Sequence, residues 1–339
     1  MVRPFSTPSP LTTSRPNDCL MVTALRSLAT GQPYRAGDRS YSQLDAAKAA
    51  DRAKAAAPVR AMTSALARQA NAFVSSGGRD ARSGACVLMM LETWAKAGAL
   101  RDVTTHDAQF IRAVALSGWA MDFAQVRDIR LRGGAGDPRP IIVAWLTAQA
   151  RDTCHHFENL RNATGRNNQR AWAGLAAMAT AMATGDRELR RCGLTATHVA
   201  LDEVTDQGFL PLEIARKERA RHYHLYAVAP LVVTAEIVAA NGGDLYGYKR
   251  GALRRLVHFT VHSIDYPGLV DRLSGAAQEP IHRSPGRLKG QYFAWLEFYV
   301  RRFGLATPGT EAVLSLRPLV NPEIGGDMTM LSRSNNGAH

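Results

Sequence analysis

Residues 166–204, RNNQRAWAGLAAMATAMATGDRELRRCGLTATHVALDEV, hold two helix-length stretches that are separated by a Gly-Asp pair. Apolar residues recur within them at spacings of three and four, the pattern of an α-helix that buries one face. Gly185 and Asp186 are residue types that interrupt helices. The segment therefore predicts helices at about 168–184 and 187–204, and a connection this short packs the two as an antiparallel pair.

The same organisation extends along the chain. Further helices are predicted at about 44–74, 85–100, 106–127, 139–161, 216–241, 249–263 and 289–303, and strand-like alternation is nearly absent. Residues 1–40 are rich in Pro, Ser, Thr and Gly, which indicates an arm or loop on the surface. A series of antiparallel helix pairs either closes into a toroid or stacks as a solenoid. The pattern does not choose between them, although the lack of a fixed-period repeat disfavours the solenoid.

The charge balance indicates an anionic partner. The chain of 339 residues is 46% apolar, enough for a substantial core, and its 42 Lys and Arg against 29 Asp and Glu give a formal net charge of +13. The basic residues are mostly scattered arginines, without a basic tail or a zinc-finger spacing. Nucleic acid is therefore a disfavoured anionic partner. Binding to nucleic acid stays as a third hypothesis, behind the two that are given below.

The sequence shows neither a membrane span nor the apolar run of a signal peptide near its start. The chain is thus predicted either to stay in the cytoplasm or to have lost an export signal. Four cysteines, Cys19, Cys86, Cys154 and Cys192, are too few and too widely spaced for a disulfide scaffold or a metal site. From spacing alone, each is interpreted as a buried free thiol, and no metal is predicted.

Four blocks carry a resemblance to a known family, and they occur in that family's order. They are ACVLMMLETWAKAGAL (85–100), RNNQRAWAGLAAMATAMATGD (166–186), DQGFLPLEIARKERARHYHLYAVAPL (206–231) and QYFAWLEFY (291–299). The chain resembles the alginate lyases, which are poly-β-mannuronate lyases. The resemblance implies an all-α, incomplete α/α toroid at 41–339 with a deep cleft for an acidic polysaccharide, and an arm with a lid loop at 1–40. It also implies a Cys19–Cys86 disulfide, and we expect a monomer without cofactor that is periplasmic or secreted.

The resemblance assigns roles to individual residues. The family's Asn-Asn-His falls on Asn167, Asn168 and Gln169, so glutamine replaces its catalytic histidine. Its Arg and Tyr fall on Arg219 and Tyr226. The lid-loop Tyr falls on Tyr34, with Tyr41 as a competing assignment. The expected catalytic residues are Tyr226, Arg219, Asn168 and Gln169. The expected substrate-binding residues are Asn167, Tyr34, His222, Tyr223, Arg221 and Trp172.

The chemistry of β-elimination explains these choices. A base must remove the C5 proton, an acid must protonate O4, and the uronate carboxylate must be neutralised. The amides of Asn168 and Gln169 and the charge of Arg219 suit the carboxylate. Arg219 and Tyr226 are seven residues apart and share a helix face, so we expect the guanidinium to lower the pKa of Tyr226, which would act as base and acid.

Glutamine cannot accept a proton at useful pH. In mannuronate and glucuronate the C5 hydrogen and O4 lie on the same side of the ring, so one residue serves both bonds. The sequence therefore predicts a lyase that acts by syn elimination on such units. The main alternative is a catalytically weakened polyuronate-binding relative.

Overall fold

The computed structural model describes residues 1–133, 136–280, 283–284, 287–288, 290–304 and 310–333. Its helices are α1 (Ala46–Ala55), α2 (Ala57–Ser75), α3 (Ala81–Lys96), α4 (His106–Val126), α5 (Arg139–Glu158), α6 (Asn168–Thr184), α7 (Arg187–Asp202), α8 (Pro211–Ile214), α9 (Ala220–Ala239), α10 (Tyr248–Asp265), α11 (Pro267–Ser274), α12 (Leu296–Phe303), α13 (Thr310–Leu314) and α14 (Met328–Arg333). The predicted all-α toroid is confirmed.

Short strands of the described residues form two-stranded pairs. They are β1 (Thr12–Ser14), β2 (Ser27–Leu28), β3 (Asp102–Val103), β4 (Arg130–Arg132), β5 (Arg283–Ser284), β6 (Arg287–Leu288), β7 (Val320–Asn321) and β8 (Gly326–Asp327). In the N-terminal arm, β1 pairs in parallel with β4 and β2 pairs in parallel with β3. Phe5 and Leu28 of the arm are buried in the core. The arm is therefore packed against the helices.

Helix α6 lies at the centre of the fold and packs on α4, α5, α7 and α9. Two glycines explain how closely α6 and α7 approach. A Cβ atom at Gly174 would lie 2.8 Å from the Cβ of Ala196, and one at Gly193 would lie 3.0 Å from the carbonyl oxygen of Gly174. Side chains at these positions would force the helices apart, so the small residues of the segment at 166–204 set the spacing of the central pair.

Two disulfides join parts of the chain that are remote in sequence. Cys19 and Cys86 are bonded, with their Cα atoms 5.4 Å apart, and this bond ties the arm to α3. Cys154 and Cys192 are also bonded, with Cα atoms 6.4 Å apart, and they link α5 to α7. The interpretation of these cysteines as free thiols is therefore wrong, because packing on α6 brings α5 and α7 within bonding distance.

The predicted helices differ from the observed ones where the backbone cannot continue. The predicted helix at 44–74 breaks at Ala56 because Pro58, in the first turn of α2, has no N–H to donate. The helix predicted at 249–263 begins irregularly, since Lys249 and Arg250 have positive φ angles. Within the predicted helix at 289–303, a 3₁₀ turn at Gly290–Phe293 precedes α12, and residue 289 is outside the described residues. No described helix is both long and apolar enough to cross a bilayer.

Candidate active site

A cleft of about 490 Å³ brings together most of the predicted site residues. It is lined by the loop that carries Tyr34 and Tyr41, by α1, α4, α6 and α9, and by Glu323. Among the described residues, five arginines line this cleft against two carboxylates, Asp107 and Glu323; the arginines are Arg39, Arg52, Arg60, Arg216 and Arg219. The walls are therefore positively charged, as an acidic polymer requires. A second cavity of about 770 Å³ shares Tyr34, Tyr41 and Arg52 with it.

The start of α6 forms one wall. The Asn167 side chain caps the helix by accepting the backbone N–H of Gln169 at 2.9 Å. Asn168 is held by the buried Glu213, which accepts its backbone N–H at 2.7 Å and its side-chain amide at 3.0 Å. Burial raises the pKa of Glu213, while Arg216 and Asn168 act in the opposite direction. Glu213, which the sequence interpretation missed, therefore fixes the orientation of Asn168.

Gln169 has a partner that the sequence interpretation also missed. Its side-chain oxygen lies 2.7 Å from Nε2 of His106, the first residue of α4. The other ring nitrogen of His106 lies 2.9 Å from Nε2 of His156 on α5. His106 and Gln169 both line the cleft. No motif marks His106 in the sequence, because it lies outside the blocks that carry the resemblance.

Another wall is formed by Arg219 and one face of α9, which follows it. Arg219 donates to Nε2 of His222 at 3.3 Å, and the His222 ring lies parallel to that of Tyr226 with centroids 6.1 Å apart. All three line the cleft, as the seven-residue spacing predicts. Arg221 lies about 200° around the helix from Arg219 and points away, where it donates to the carbonyl oxygens of Ser263 and Glu279. The expectation that Arg221 binds substrate is therefore wrong.

Trp172 does not reach the cleft either. Its side chain is fully buried, and its ring packs on Tyr226 with centroids 5.1 Å apart. A sugar has no exposed ring face to stack on, so the assignment of Trp172 as a substrate-binding residue is wrong. Its role is to pack against the ring of Tyr226 and support it.

The loop that carries Tyr34 contacts Tyr223. The hydroxyl groups of Tyr34 and Tyr223 are hydrogen-bonded to each other. The Arg216 guanidinium lies 3.6 Å from the centre of the Tyr223 ring and donates to the Tyr34 hydroxyl at 3.4 Å and to the Tyr41 carbonyl at 3.0 Å. Tyr34 and Tyr41 both line the cleft, and of the two only the hydroxyl of Tyr34 is seen hydrogen-bonded to Tyr223 among the described contacts. Arg216 stands three residues before Arg219 in the same block, which was the available signal for it.

Asp38 shapes the loop that carries Tyr34 and Tyr41. Its carboxylate accepts the backbone N–H groups of Ser40, Ser42 and Gln43 at 2.8–3.0 Å. Burial alone would raise the pKa of Asp38, but the hydrogen bonds from Ser40, Gln43 and Ser42 outweigh it and lower the pKa to about 2. The carboxylate therefore stays ionised at any physiological pH, and the loop keeps its shape.

The expectation that Arg219 lowers the pKa of Tyr226 is wrong. Burial raises the pKa of Tyr226 well above 10.0, the carboxylate of Glu323 acts in the same direction, and the cation that opposes them is Arg52. Burial also raises the pKa of Glu323, to about 7, against the effect of Arg52. Tyr226 is therefore a neutral phenol at neutral pH. Arg52 and Glu323 could not be placed here from sequence, because neither lies near Tyr226 in the chain.

Within the described part of the chain, no cluster of three or more His, Cys, Asp and Glu side chains is arranged to hold a metal ion. The polar side chains of the cleft are mainly amides, guanidinium groups, imidazoles and phenols, together with two aliphatic hydroxyl groups and two carboxylates. These groups suit hydrogen bonding to an anionic sugar and proton transfer.

Comparisons with known proteins agree with this geometry. The sequence profile described as alginate lyase matches residues 15–268. A polysaccharide lyase of Stenotrophomonas maltophilia is 31% identical over 300 residues, which is 87% of this chain and 85% of that protein. An alginate lyase of Pseudomonas paraeruginosa is 30% identical over 307 residues, covering 88% and 82% of the two chains.

Solved structures are similar as well. Alginate lyase A1-III from Sphingomonas species A1 is 25% identical and superimposes with a TM-score of 0.75 over 94% of this chain and 88% of its own. A histidine-to-alanine variant of alginate lyase A1-III complexed with a tetrasaccharide is 25% identical and gives a TM-score of 0.77 over 94% and 87%. The chain therefore belongs to the alginate lyase family of polysaccharide lyases.

Proposed function

We propose that this polysaccharide lyase cleaves mannuronate-type or glucuronate-type polymers by syn β-elimination, with Tyr226 as the proton-transfer residue. One observation carries the proposal. The cleft places Tyr226, His222 and Arg219 on one wall and the Gln169 amide on another, in a basic channel that suits a polyuronate. The tetrasaccharide complex of a related alginate lyase supports an oligosaccharide as the occupant.

The reaction needs one residue on one face of the sugar. The Tyr226 phenolate takes the proton from C5, and the electron pair of that C–H bond forms the C4–C5 double bond. The bond between C4 and O4 breaks, and O4 receives this proton from the Tyr226 hydroxyl. Negative charge that develops on the carboxylate is stabilised by the Gln169 amide and by Arg219. The phenolate is regenerated, so protons and electrons balance.

The substrate preference follows from position 169. In guluronate the C5 hydrogen and O4 lie on opposite faces, so a second base must face Tyr226 across the ring. We infer that Gln169 takes that position, and its side chain has no basic atom. We therefore propose low activity on guluronate and higher activity on mannuronate or glucuronate.

The compartment and organisation are also proposed. Two disulfides, Cys19–Cys86 and Cys154–Cys192, suit an oxidising environment, which supports a periplasmic or secreted protein. We propose that residues 41–339 form one catalytic domain that acts as a monomer, with residues 1–40 as its arm and lid.

The decisive experiment measures the ultraviolet absorbance of the unsaturated uronate product on polymannuronate, polyguluronate, glucuronan and hyaluronan. We expect product from the first polymer or from the glucuronate polymers, and little from polyguluronate. Binding without product on every polymer would instead identify a noncatalytic polysaccharide-binding relative. Binding to nucleic acid that weakens steeply with salt, without cleavage of any uronate polymer, would support the third hypothesis.

A further inference from the structure

A row of three side chains leads from α5 to the cleft. His156 contacts His106, and His106 contacts Gln169, through nitrogen–nitrogen and nitrogen–oxygen distances of 2.9 Å and 2.7 Å. Only the last two line the cleft. The mechanism above uses Gln169 and leaves both histidines unassigned.

The hydrogen bonds in this row have a direction. The side-chain oxygen of Gln169 can only accept, so Nε2 of His106 donates to it. In the neutral His106 ring, Nδ1 then accepts a hydrogen bond from Nε2 of His156. Burial lowers the pKa of His156, and the electrostatic interactions with His106, Arg112 and His155 act in the same direction. A neutral His156 is therefore compatible with this pairing.

His106 itself is held firmly. Its ring lies 5.6 Å from that of Phe157 and 5.2 Å from that of His156, measured between centroids. The preceding Thr105 caps α4 by accepting the N–H of Ala108 at 3.3 Å. The neighbouring Asp107 is bound to Arg52 at 2.7 Å, so its carboxylate is already paired.

The fixed ring has a consequence for the amide. A glutamine amide can rotate by half a turn and exchange its oxygen and nitrogen at almost no cost. An oxygen that faced the substrate carboxylate would repel it, whereas the nitrogen donates to it. Because His106 holds the oxygen, the amide nitrogen of Gln169 remains for the cleft.

We propose that His106 is a positioning residue that orients Gln169 with its amide nitrogen toward the substrate carboxylate. The pair His106–Gln169 thus provides a hydrogen-bond donor to the substrate carboxylate. The family resemblance implies that other members use a single histidine for this purpose. The inference rests on the proposed lyase function, since it assigns the Gln169 amide to the carboxylate.

The test is a double-mutant cycle of His106→Phe and Gln169→Ala, with kcat and KM measured on polymannuronate. His106→Phe keeps an aromatic ring but removes the donor, so we expect kcat/KM to fall roughly ten- to hundredfold. In the Gln169→Ala background the same change should cost less than about twofold, because nothing remains to be oriented. Equal losses in both backgrounds would overturn the proposal.

A second variant separates orientation from packing. His106→Gln loses the aromatic ring but keeps an N–H near the Nε2 position, so we expect activity within about threefold of wild type. A packing role predicts the reverse order, with His106→Phe the milder change. His198→Phe is the matched control for the loss of a packed imidazole away from the cleft. His198 lies on α7 and stacks on Tyr248 with centroids 4.4 Å apart.

Imidazole NMR tests the pairing without any turnover. In the free protein, at a pH where the ring is neutral, the proton of His106 should be on Nε2. Gln169→Ala should shift the His106 signals and leave those of His198 unchanged. A proton on Nδ1, or no response to Gln169→Ala, would overturn the proposal. If no uronate polymer is cleaved, the lyase proposal fails while these spectra still decide whether His106 orients Gln169.

Discussion

Trp172 supplies the hydrogen bond that Pro230 cannot make. In an α-helix the carbonyl of Tyr226 would accept the N–H of residue 230, but a proline there has none. The indole N–H of Trp172 donates to this carbonyl instead, at 3.0 Å. The backbone of the proposed catalytic tyrosine is thus tied to α6, the helix that also carries Gln169.

This relationship predicts a specific rescue. Trp172→Phe leaves the Tyr226 carbonyl without its donor and should lower the free energy of unfolding by about 1 to 3 kcal/mol. Pro230→Ala restores an N–H at the next turn, so Trp172→Phe should cost less in that background. Urea denaturation of the four proteins checks this. Equal losses in both backgrounds would show that the indole stabilises the protein only through packing and that its N–H contributes nothing.

The role of Tyr226 predicts a large loss from a small change. Tyr226→Phe keeps the ring packing and removes the proton-transfer group, so kcat on polymannuronate should fall by several orders of magnitude, while oligosaccharide affinity changes little. Tyr292→Phe is a suitable control, because Tyr292 also lines the cleft and has a pKa raised by burial. Full activity of Tyr226→Phe would refute the assignment.

The raised pKa of Tyr226 predicts how activity depends on pH. Only the phenolate takes the C5 proton, and below the pKa the phenolate fraction grows tenfold with each pH unit. We therefore expect log(kcat/KM) to rise with a slope near one from about pH 7 to about pH 9, without a plateau. Steady-state kinetics across this range provide the check, and a plateau at neutral pH would point to a different base.

Glu323 predicts a pH dependence of stability. Its pKa is about 7 in the folded protein, against 4.5 for an ordinary glutamate. Between these values the unfolded chain releases the proton and the folded protein keeps it, so the free energy of unfolding should fall as pH rises from 4.5 to about 7 and then level off.

Glu323→Gln should remove this slope and stabilise the protein at pH 8 by about 1 to 3 kcal/mol. Thermal denaturation at several pH values measures it. The same variant lacks the carboxylate that raises the pKa of Tyr226, so kcat/KM at pH 8 should stay equal or increase. A loss of activity would mean that Glu323 itself transfers protons.

Restoring the family residue predicts a change in specificity. Under the proposed mechanism, Gln169→His should put an imidazole on the face of the sugar ring opposite Tyr226, within reach of the C5 hydrogen of guluronate. We expect cleavage of mannuronate or glucuronate units near the wild-type rate or above it, together with new activity on polyguluronate. Product analysis on block polymers measures the ratio, and an unchanged ratio would contradict the role of position 169 in specificity.

The sequence alone determined the helical architecture and one wall of the cleft. Spacing within a helix fixes which residues share a face, so the positions of Arg219, His222 and Tyr226 in the chain are enough to group them. The ordered blocks likewise brought Asn167, Asn168 and Gln169 into the predicted site, and the family resemblance paired Cys19 with Cys86.

Tertiary structure decided which helix faces meet, and how deeply each ionisable group is buried and which charges lie near it. Periodicity does not say which neighbour covers a helix face, so the sequence predicts Trp172 in the cleft although α9 buries it, and it predicts free thiols at Cys154 and Cys192 although the two are bonded. The pKa of Tyr226 has the same origin. It is a sum over burial and over charges such as Arg52 and Glu323, which are remote in sequence and close only after folding.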